Sequence, residues 1–323
     1  MANEQLPLFP AAPSRKEGLG LAAIPDSLQS IASRIPRSIR LGTSSWSFPG
    51  WRGIVWDRPT NVRFLSRQGL AVYSRHPLLR AVGVDRTYYT PVSADVLAGY
   101  ASQVPGDFRF LVKAARACTS PELRTGTDGP PAPNPHFLDP GWAIEHVVTP
   151  FMEGVGDRGG PLVFQFPPLG SHFTRDPARF IAHIAAFLSA LPKGPWYAVE
   201  IRDPELLTSD YAGALSVAGA SHCVNVHPRM PPVGEQAEIA SEAVADRLVI
   251  RWMLHGGMMY EEAKERYAPF DHLVDEDSDT RDAVARLATT AVTRGGEVMI
   301  VANNKAEGSA PLTLFKLAEQ IVG

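Results

Sequence analysis

EVMIVANNKAEGSAP, residues 297–311, joins a run of apolar and β-branched residues to two asparagines and a turn of small residues. The first part predicts a β-strand, because β-branched side chains pack well on a pleated surface. Gly308 and Ser309 then predict the start of a helix, with Pro311 in its first turn, where the missing N–H costs nothing. The stretch therefore predicts one strand-to-helix unit with polar side chains at the end of its strand.

The same pattern recurs along the chain and predicts eight strands that alternate with helices. The predicted strands are 39–44, 81–86, 108–114, 161–166, 197–202, 222–226, 247–254 and 297–304, and the predicted helices are 60–76, 93–103, 141–155, 174–190, 208–218, 279–294 and 309–322. Eight such units in one chain predict an α/β fold with a single TIM-type (β/α)8 barrel. A doubly wound sheet is the alternative, but the sequence has neither the Gly-rich fingerprint typical of that fold nor a Walker P-loop.

The amino-terminal part of the chain has a different composition from the rest. Residues 1–38 are rich in Pro, Ala and Ser and contain no β-like run, although 24–35 predicts one short amphipathic helix. We expect residues 1–20 to be disordered or loosely attached. The predicted organisation is a partly disordered extension over 1–38 and a barrel domain over 39–323.

Composition excludes several classes of protein. The chain has 323 residues, 45% of them hydrophobic, which is enough for a large core, and its net charge of -3 predicts no tight direct binding of nucleic acid. Cys118 and Cys223 are far apart and no CxxC spacing occurs, so a zinc ribbon and a disulfide framework are not expected. The chain shows no signal peptide and no apolar run long enough to span a membrane, which predicts a cytoplasmic protein without membrane partners.

Polar residues stand at the carboxyl ends of all eight predicted strands, where TIM barrels collect their chemistry. In chain order they are Thr43, Ser44 and Ser45 with Trp46, Asp85 with Tyr89, Lys113, Gln165, Glu200 with Arg202, Asn225 with His227, Arg251 with His255, and Asn303 with Asn304. For a single strand, a polar end could simply mark where the strand meets solvent. The eight together predict a polar pocket for a small polar or anionic ligand.

Glu200 and Arg202 lie two apart on one predicted strand, so they point to the same side of the sheet. Two interpretations stay open. The pair could be structural and hold the barrel mouth together. Alternatively, Arg202 and Lys113 could tune the pKa of the Glu200 carboxyl, which would then act as general base or substrate anchor.

The enzyme hypothesis assigns roles to these residues. Glu200 is the predicted base, His255 the acid, and Lys113 or Arg202 the electrophilic or anion-binding partner, in hydrolysis or isomerisation of a small polar or phosphorylated substrate. The predicted substrate-binding residues are Asp85, Tyr89, Gln165, Asn303, Asn304 and Trp46. The nine histidines show no HxH or HExxH spacing, so a divalent metal assembled from several strands is conceivable but not predicted, and no cofactor is assigned.

An ordered set of short motifs resembles one known family. LGTSSWSFPGW (41–51), TYYTP (87–91), FLVKA (110–114), FQFPP (164–168), VEIR (199–202), LHG (254–256) and NN-x₃-G-x-A (303–310) together look like the TIM-barrel family called domain of unknown function 72, also known as the YecE-like proteins. The resemblance covers roughly 39–322 and implies a single TIM-type barrel with no securely assigned activity. Family barrels are broadly similar to those of endonuclease IV and sugar isomerases, which use metal clusters.

The chain both matches and departs from the family pattern. The family positions at Lys113, Gln165, Glu200, Arg202, His255, Asn303 and Asn304 are matched. Members commonly carry Glu-x-Asn where this chain has Gly83 and Asp85, and Thr-His where it has Thr119 and Ser120. If that Glu and His are catalytic in the family, the resemblance implies lost or altered chemistry here.

QLPLF, residues 5–9, resembles the short motif with which bacterial repair and replication proteins dock on the DNA sliding clamp. An extended peptide would place Leu8 and Phe9 in an apolar pocket, with Leu6 in a second depression and Gln5 at the rim. The alternative is a strap that lays the three apolar side chains on the barrel's outer surface. The motif gives a second functional hypothesis, a DNA-repair or replication-associated and possibly phosphodiesterase-like protein recruited by the clamp.

Overall fold

Eight parallel strands form a closed barrel in the computed structural model, which describes residues 18–124, 129–244 and 246–323. The strands in chain order are β1 (Ile39–Thr43), β2 (Leu79–Val84), β3 (Arg109–Lys113), β4 (Glu122–Arg124), β5 (Pro131–Pro133), β6 (Gly159–Gln165), β7 (Trp196–Glu200), β8 (Ser221–Val226), β9 (Arg247–Trp252) and β10 (Glu297–Ala302). The barrel strands follow one another in the order β1-β10-β9-β8-β7-β6-β3-β2, and β2 pairs with β1 to close the ring. The predicted single TIM-type barrel is confirmed.

Helices cover the outside of the barrel. Their bounds are Asp26–Arg34, Val62–Phe64 continued by a π-helical turn Leu65–Gly69 and by Leu70–Tyr73, Ala94–Ala101, Pro140–Ala143 continued by a π-helical turn Ile144–Val148 and by Thr149–Val155, Ser171–Thr174, Pro177–Ala190, Ser209–Ala218, Val233–Ile239, Tyr260–Tyr267, Ser278–Thr293 and Ala310–Val322. Each helix predicted from the sequence is found, with ends shifted by a few residues. Among the described residues, no helix is both long and apolar enough to cross a lipid bilayer.

Regular structure also forms in two segments for which the sequence predicted neither a strand nor a helix. Strands β4 and β5 pair in an antiparallel hairpin. The helix Val233–Ile239 lies in the segment 227–240, where Gln236 is buried. The Gln236 side chain accepts from the backbone N–H of Asn225 at 3.1 Å and donates to its carbonyl at 2.7 Å. These bonds join the helix to β8, a tertiary contact that local sequence patterns do not report.

Alternating residues of the strands fill the barrel interior. A middle layer of small and medium apolar side chains comprises Ala81, Leu111, Val163, Ala198, Cys223, Val249 and Val301. On β1 the corresponding space is taken by the neighbouring backbone, since a Cβ on Gly42 would lie 2.2 Å from the carbonyl oxygen of Ala81. Side chains on the other strand faces pack against the helices in a second, larger core. The interior is therefore a packed core rather than a channel, as expected for this fold.

The helix Asp26–Arg34 lies against the carboxyl-terminal helix. Its Leu28 is buried in the outer core, and the Arg34 guanidinium donates to the carbonyl of Val322. Residues 18–35 thus pack on the barrel in the described part of the chain. The predicted docking stretch 5–9 lies outside the described residues.

Candidate active site

A polar layer lies directly above the apolar middle layer, at the carboxyl end of the barrel. Each of its strand members stands two positions after an apolar interior residue and so points to the same side of its strand. The pairs are Leu111 with Lys113, Val163 with Gln165, Ala198 with Glu200, Cys223 with Asn225, Val249 with Arg251, and Val301 with Asn303. On these six strands, the residue two positions after a core residue therefore lies in the candidate site.

Glu200 is the centre of this layer and is fully buried. One carboxylate oxygen is paired with the guanidinium of Arg202 and the other with that of Arg251. Burial alone would raise the pKa of the carboxyl, but the charges of Arg202, Arg251 and Lys113 outweigh it and lower the pKa to about 2. Glu200 is therefore an ionised hub for two buried cations.

Arg251 links three strands of the barrel. Besides pairing with Glu200 on β7, it donates through Nη2 to Oδ1 of Asp85, just after β2, at 3.2 Å. Its side chain is almost fully buried, which would lower its pKa, yet Glu200 and Asp85 raise it above the ordinary value. The guanidinium is therefore permanently charged at the floor of the mouth.

Arg202 is held in place by hydrogen bonds from β8. Its Nη1 donates to Oδ1 of Asn225 at 3.2 Å, and Nδ2 of Asn225 donates to the carbonyl of Ile201 at 3.2 Å. The backbone of Asn225 is in turn bonded to Gln236. A chain of polar contacts from the helix Val233–Ile239 thus fixes the direction of Arg202.

Lys113 lies at the end of β3 and is only 7% exposed. Its Nζ donates to Oε1 of Gln165 at 2.8 Å and lies 3.7 Å from the centre of the Tyr88 ring. Across the described ranges, no carboxylate forms an ion pair with it. Burial lowers the pKa of Lys113 to about 8, and the nearby charge of Arg251 acts in the same direction.

Asn303, just after β10, forms a separate polar group with residues that follow β1 and β10. Its Nδ2 donates to Oγ of Ser44 at 2.9 Å, and its Oδ1 accepts from the backbone N–H of Lys305 at 3.0 Å. The Lys305 side chain is buried and lies over the ring of Tyr260, with Nζ 4.1 Å from the ring centre. A second lysine thus borders the mouth between β10 and the loop that follows β9.

Besides Asn303, four of the predicted site residues lie apart from the Glu200 network. Trp46 is buried against Tyr100 and donates to the carbonyl of Leu65, and Oδ1 of Asn304 accepts from Trp51 and from the backbone N–H of Ala310. Tyr89 is 71% exposed, and His255 is half-buried with Nδ1 2.8 Å from the carbonyl oxygen of Gly256. The residues that come together are Asp85, Lys113, Gln165, Glu200 and Arg202.

The predicted site set omitted three residues that the structure brings to this group: Arg251, Asn225 and Tyr88. Arg251 and Asn225 stand at the ends of predicted strands. The spacing of two residues between Val249 and Arg251 could have predicted that Arg251 points into the mouth. Near them His227 is half-buried, and burial together with the charge of Arg202 lowers its pKa to about 4. Its imidazole is therefore neutral at neutral pH.

The described residues offer little to a metal ion. Within 18–124, 129–244 and 246–323, no group of three or more His, Cys, Asp and Glu side chains is arranged to hold one. Both oxygens of Glu200, the most buried carboxylate of the mouth, face guanidinium groups. The site is organised around fixed cations of the protein itself.

Fold and site together define a TIM-type barrel protein with a buried network of charges at its carboxyl-end mouth. A family model described as "Protein of unknown function DUF72" matches residues 40–322. The chain belongs to this family. Comparison with curated proteins finds no match.

Solved structures of the same family share the fold. A DUF72 family protein from Thermotoga maritima MSB8 is 19% identical, with a TM-score of 0.61 over 87% of this chain and 98% of that one. A DUF72 family protein from Enterococcus faecalis V583 is 16% identical, with a TM-score of 0.56 over 88% of this chain and 95% of that one. At these identities the likeness concerns the barrel alone.

Proposed function

We propose that this protein is a cytoplasmic enzyme that binds a small anionic substrate, polar or phosphorylated, at the carboxyl-end mouth. The reaction is hydrolysis or isomerisation by general acid–base catalysis. One observation carries the proposal: among the described residues, three buried cations, Arg202, Arg251 and Lys113, face two carboxylates, Glu200 and Asp85. Burying a charge without a partner is costly, so an anionic group of the substrate would complete the network.

Lys113 is the group best suited to transfer a proton. Its pKa of about 8 lies close to neutral pH, where a group can both accept and donate a proton. Glu200, with a pKa of about 2, is a weak base at neutral pH, so we propose that it anchors Arg202 and Arg251 instead. Its role as base and that of His255 as acid stay predictions, which the Glu200→Gln and His255→Gln variants would test against any activity found.

Anion binding is the first measurement for this proposal. Inorganic phosphate titrated calorimetrically into the full chain is expected to bind, and phosphorylated metabolites should raise the melting temperature more than their dephosphorylated counterparts. The Lys113→Met variant keeps the side chain's volume, removes its charge and should lose this binding. A matched control is Lys316→Met, because Lys316 is an exposed residue of the carboxyl-terminal helix. Equal phosphate affinity in wild type and Lys113→Met would exclude the mouth as the anion site.

The QLPLF stretch supports a second candidate function, recruitment of a phosphodiesterase-like barrel to DNA by the sliding clamp. The acidic net charge gives the barrel little attraction for DNA, and a docking peptide would compensate for it. The test is titration of purified clamp with peptide 1–12 and with the full chain, each compared with a variant carrying Leu8→Ala and Phe9→Ala. Binding that the two substitutions abolish supports recruitment. Absence of binding by both the peptide and the full chain contradicts it.

A further inference from the structure

We propose that Lys113 is a nucleophilic amine that condenses with a carbonyl group of the substrate to form an imine. The inference rests on the proposed function, since it uses the same mouth, and it narrows the substrate class to a small aldehyde or ketone that carries an anionic group. It also changes the role of Lys113 from proton transfer to covalent catalysis.

The surroundings of Nζ stabilise its ammonium form less than a carboxylate partner would. Its hydrogen-bond acceptor is the neutral amide oxygen of Gln165, and its other close neighbour is the ring of Tyr88. Two other lysines of the described chain, Lys264 and Lys316, form ion pairs with carboxylates one helical turn away, at 2.9 Å and 3.6 Å. Lys113 differs from both in being buried and in having no such carboxylate among the described residues.

Charged groups from several elements face Lys113, and their effects oppose one another. Arg251 on β9 and Arg202 after β7 disfavour the ammonium form, whereas Asp85 after β2 and Glu200 on β7 favour it. Burial is the largest effect and lowers the pKa to about 8, so a sizeable share of the amine is neutral at physiological pH. The two arginines, themselves held by Glu200, would also attract the anionic group of an incoming carbonyl compound.

The condensation consumes one proton and releases one molecule of water. The nitrogen lone pair of neutral Lys113 forms a C–N bond to the carbonyl carbon, and a proton passes from nitrogen to the former carbonyl oxygen. The resulting carbinolamine takes up one proton and loses water when its C–O bond breaks, which leaves a protonated imine. The iminium carbon then withdraws electrons from neighbouring bonds, and hydrolysis later returns the free amine.

Reductive trapping tests the proposal on the full chain. Glyoxylate, a small anionic aldehyde, is added near neutral pH with cyanoborohydride, whose hydride converts an imine into a stable secondary amine. Peptide mapping by mass spectrometry then gives the rate at each lysine. We expect Lys113 to react faster than Lys193, Lys264 and Lys316 by about ten-fold or more, because a lower pKa leaves more neutral amine. A rate at Lys113 equal to or below theirs would overturn the proposal.

One variant and one neutral aldehyde separate the reactivity of Lys113 from its accessibility. Gln165→Glu places a carboxylate beside Nζ with almost no change of shape and should slow trapping at Lys113 by about ten-fold, because it stabilises the ammonium form. Propionaldehyde, a neutral aldehyde, should react more slowly at Lys113 than glyoxylate does. Trapping that is unchanged in Gln165→Glu, in a variant whose circular dichroism matches wild type, contradicts the proposed neutral amine.

The trapping experiment can fail independently of the phosphate titration that tests the proposed function. Phosphate binding at the mouth without trapping at Lys113 would refute the imine and leave the anion-binding enzyme intact. Trapping at Lys113 without phosphate binding would support the reactive lysine and refute the proposed anion site.

Discussion

Glu200 and Glu307 are both fully buried and both bonded to arginine, yet their acidities shift in opposite directions. Glu200 lies in the barrel mouth between Arg202 and Arg251, and its pKa is lowered. Glu307 follows β10, accepts from Arg281 at 2.5 Å and from the backbone N–H of Asp277 at 2.7 Å, and burial raises its pKa. At Glu307, hydrogen bonds only partly offset the effect of burial on the pKa. At Glu200, two adjacent cations outweigh that effect.

The two glutamates also differ in what they hold. Glu307 ties the loop that precedes the helix Ser278–Thr293 to the loop after β10, and its carbonyl accepts from the backbone N–H of Val274 at 2.7 Å. Glu200 holds two guanidinium groups beside an open end of the barrel. A buried carboxylate can therefore hold two loops together, as Glu307 does, or hold cations in place, as Glu200 does. The number of neighbouring cations decides between these roles.

The largest expected effect comes from removing the charge of each glutamate in turn. Glu200→Gln leaves two buried guanidinium groups without their carboxylate and should destabilise the fold by about 3–5 kcal/mol. Glu307→Gln keeps a hydrogen-bond acceptor beside Asp277 and should cost about 1–2 kcal/mol. Urea unfolding of both variants measures the difference. Equal losses would mean that the second arginine adds nothing to the role of Glu200.

Lys113→Met, unlike the two glutamate variants, should stabilise the fold. Because burial lowers the pKa of Lys113 from 10.5 to about 8, its charged form opposes folding below about pH 8. Met fills a similar volume without a charge, so the variant should be more stable by about 1–3 kcal/mol at neutral pH. The gain should shrink between pH 8 and 10.5, where the unfolded chain still binds a proton that the folded chain has lost. Denaturant unfolding at several pH values measures both the gain at neutral pH and its decrease at higher pH. A variant less stable than wild type would indicate that the bond to Gln165 and the Tyr88 contact outweigh the cost of burying the charge.

On acidification, the two glutamates should change the stability of the fold in opposite directions. The stability that Glu200 contributes is complete above about pH 4.5 and is lost as the pH falls toward 2, because its folded pKa is depressed. Glu307, with a raised pKa, disfavours the fold when ionised and therefore adds stability as the pH falls toward 4.5.

On acidification, Glu200→Gln should consequently lose less stability than wild type below pH 4.5, and Glu307→Gln should lose more just above it. Each slope should differ from that of wild type by at most about 1.4 kcal/mol per pH unit. Denaturant unfolding of the three proteins across this range is the measurement. Parallel curves for the two variants would contradict the opposite shifts.

The smallest expected effect on stability is that of Asp85→Asn. The Asp85 side chain is one-third exposed and lies 3.2 Å from Arg251, so solvent weakens the pair and its loss should cost less than about 1 kcal/mol. Removal of a negative charge from the mouth should at the same time tighten phosphate binding by about two- to five-fold. Calorimetric titration tests this, and weaker phosphate binding than wild type would mean that Asp85 positions Arg251 for the ligand.

Local patterns were sufficient to predict the barrel and the convergence of several polar side chains at its mouth. Eight β-branched runs separated by helical periodicity predicted the fold, and the polar ends of these runs predicted Lys113, Gln165, Glu200 and Arg202 together. The helix around Gln236 was missed because its stability depends on contacts with Asn225 across the fold. His255, Trp46 and Asn304 were grouped with the site because they follow strands, but the loops after the strands turn them toward other partners.

The sequence by itself determined which residues could meet: strand periodicity of two places one side chain in the core and the next on the same side at the mouth, whatever the neighbouring strands do. Only the tertiary structure decided the charges those residues carry. Burial and the convergence of β7, β9 and the end of β2 leave Glu200 ionised between two arginines, whereas the amine of Lys113 contacts the Gln165 amide and the Tyr88 ring. Electrostatic free energy depends on distance and exposure to water, and neither is written in the order of residues along the chain.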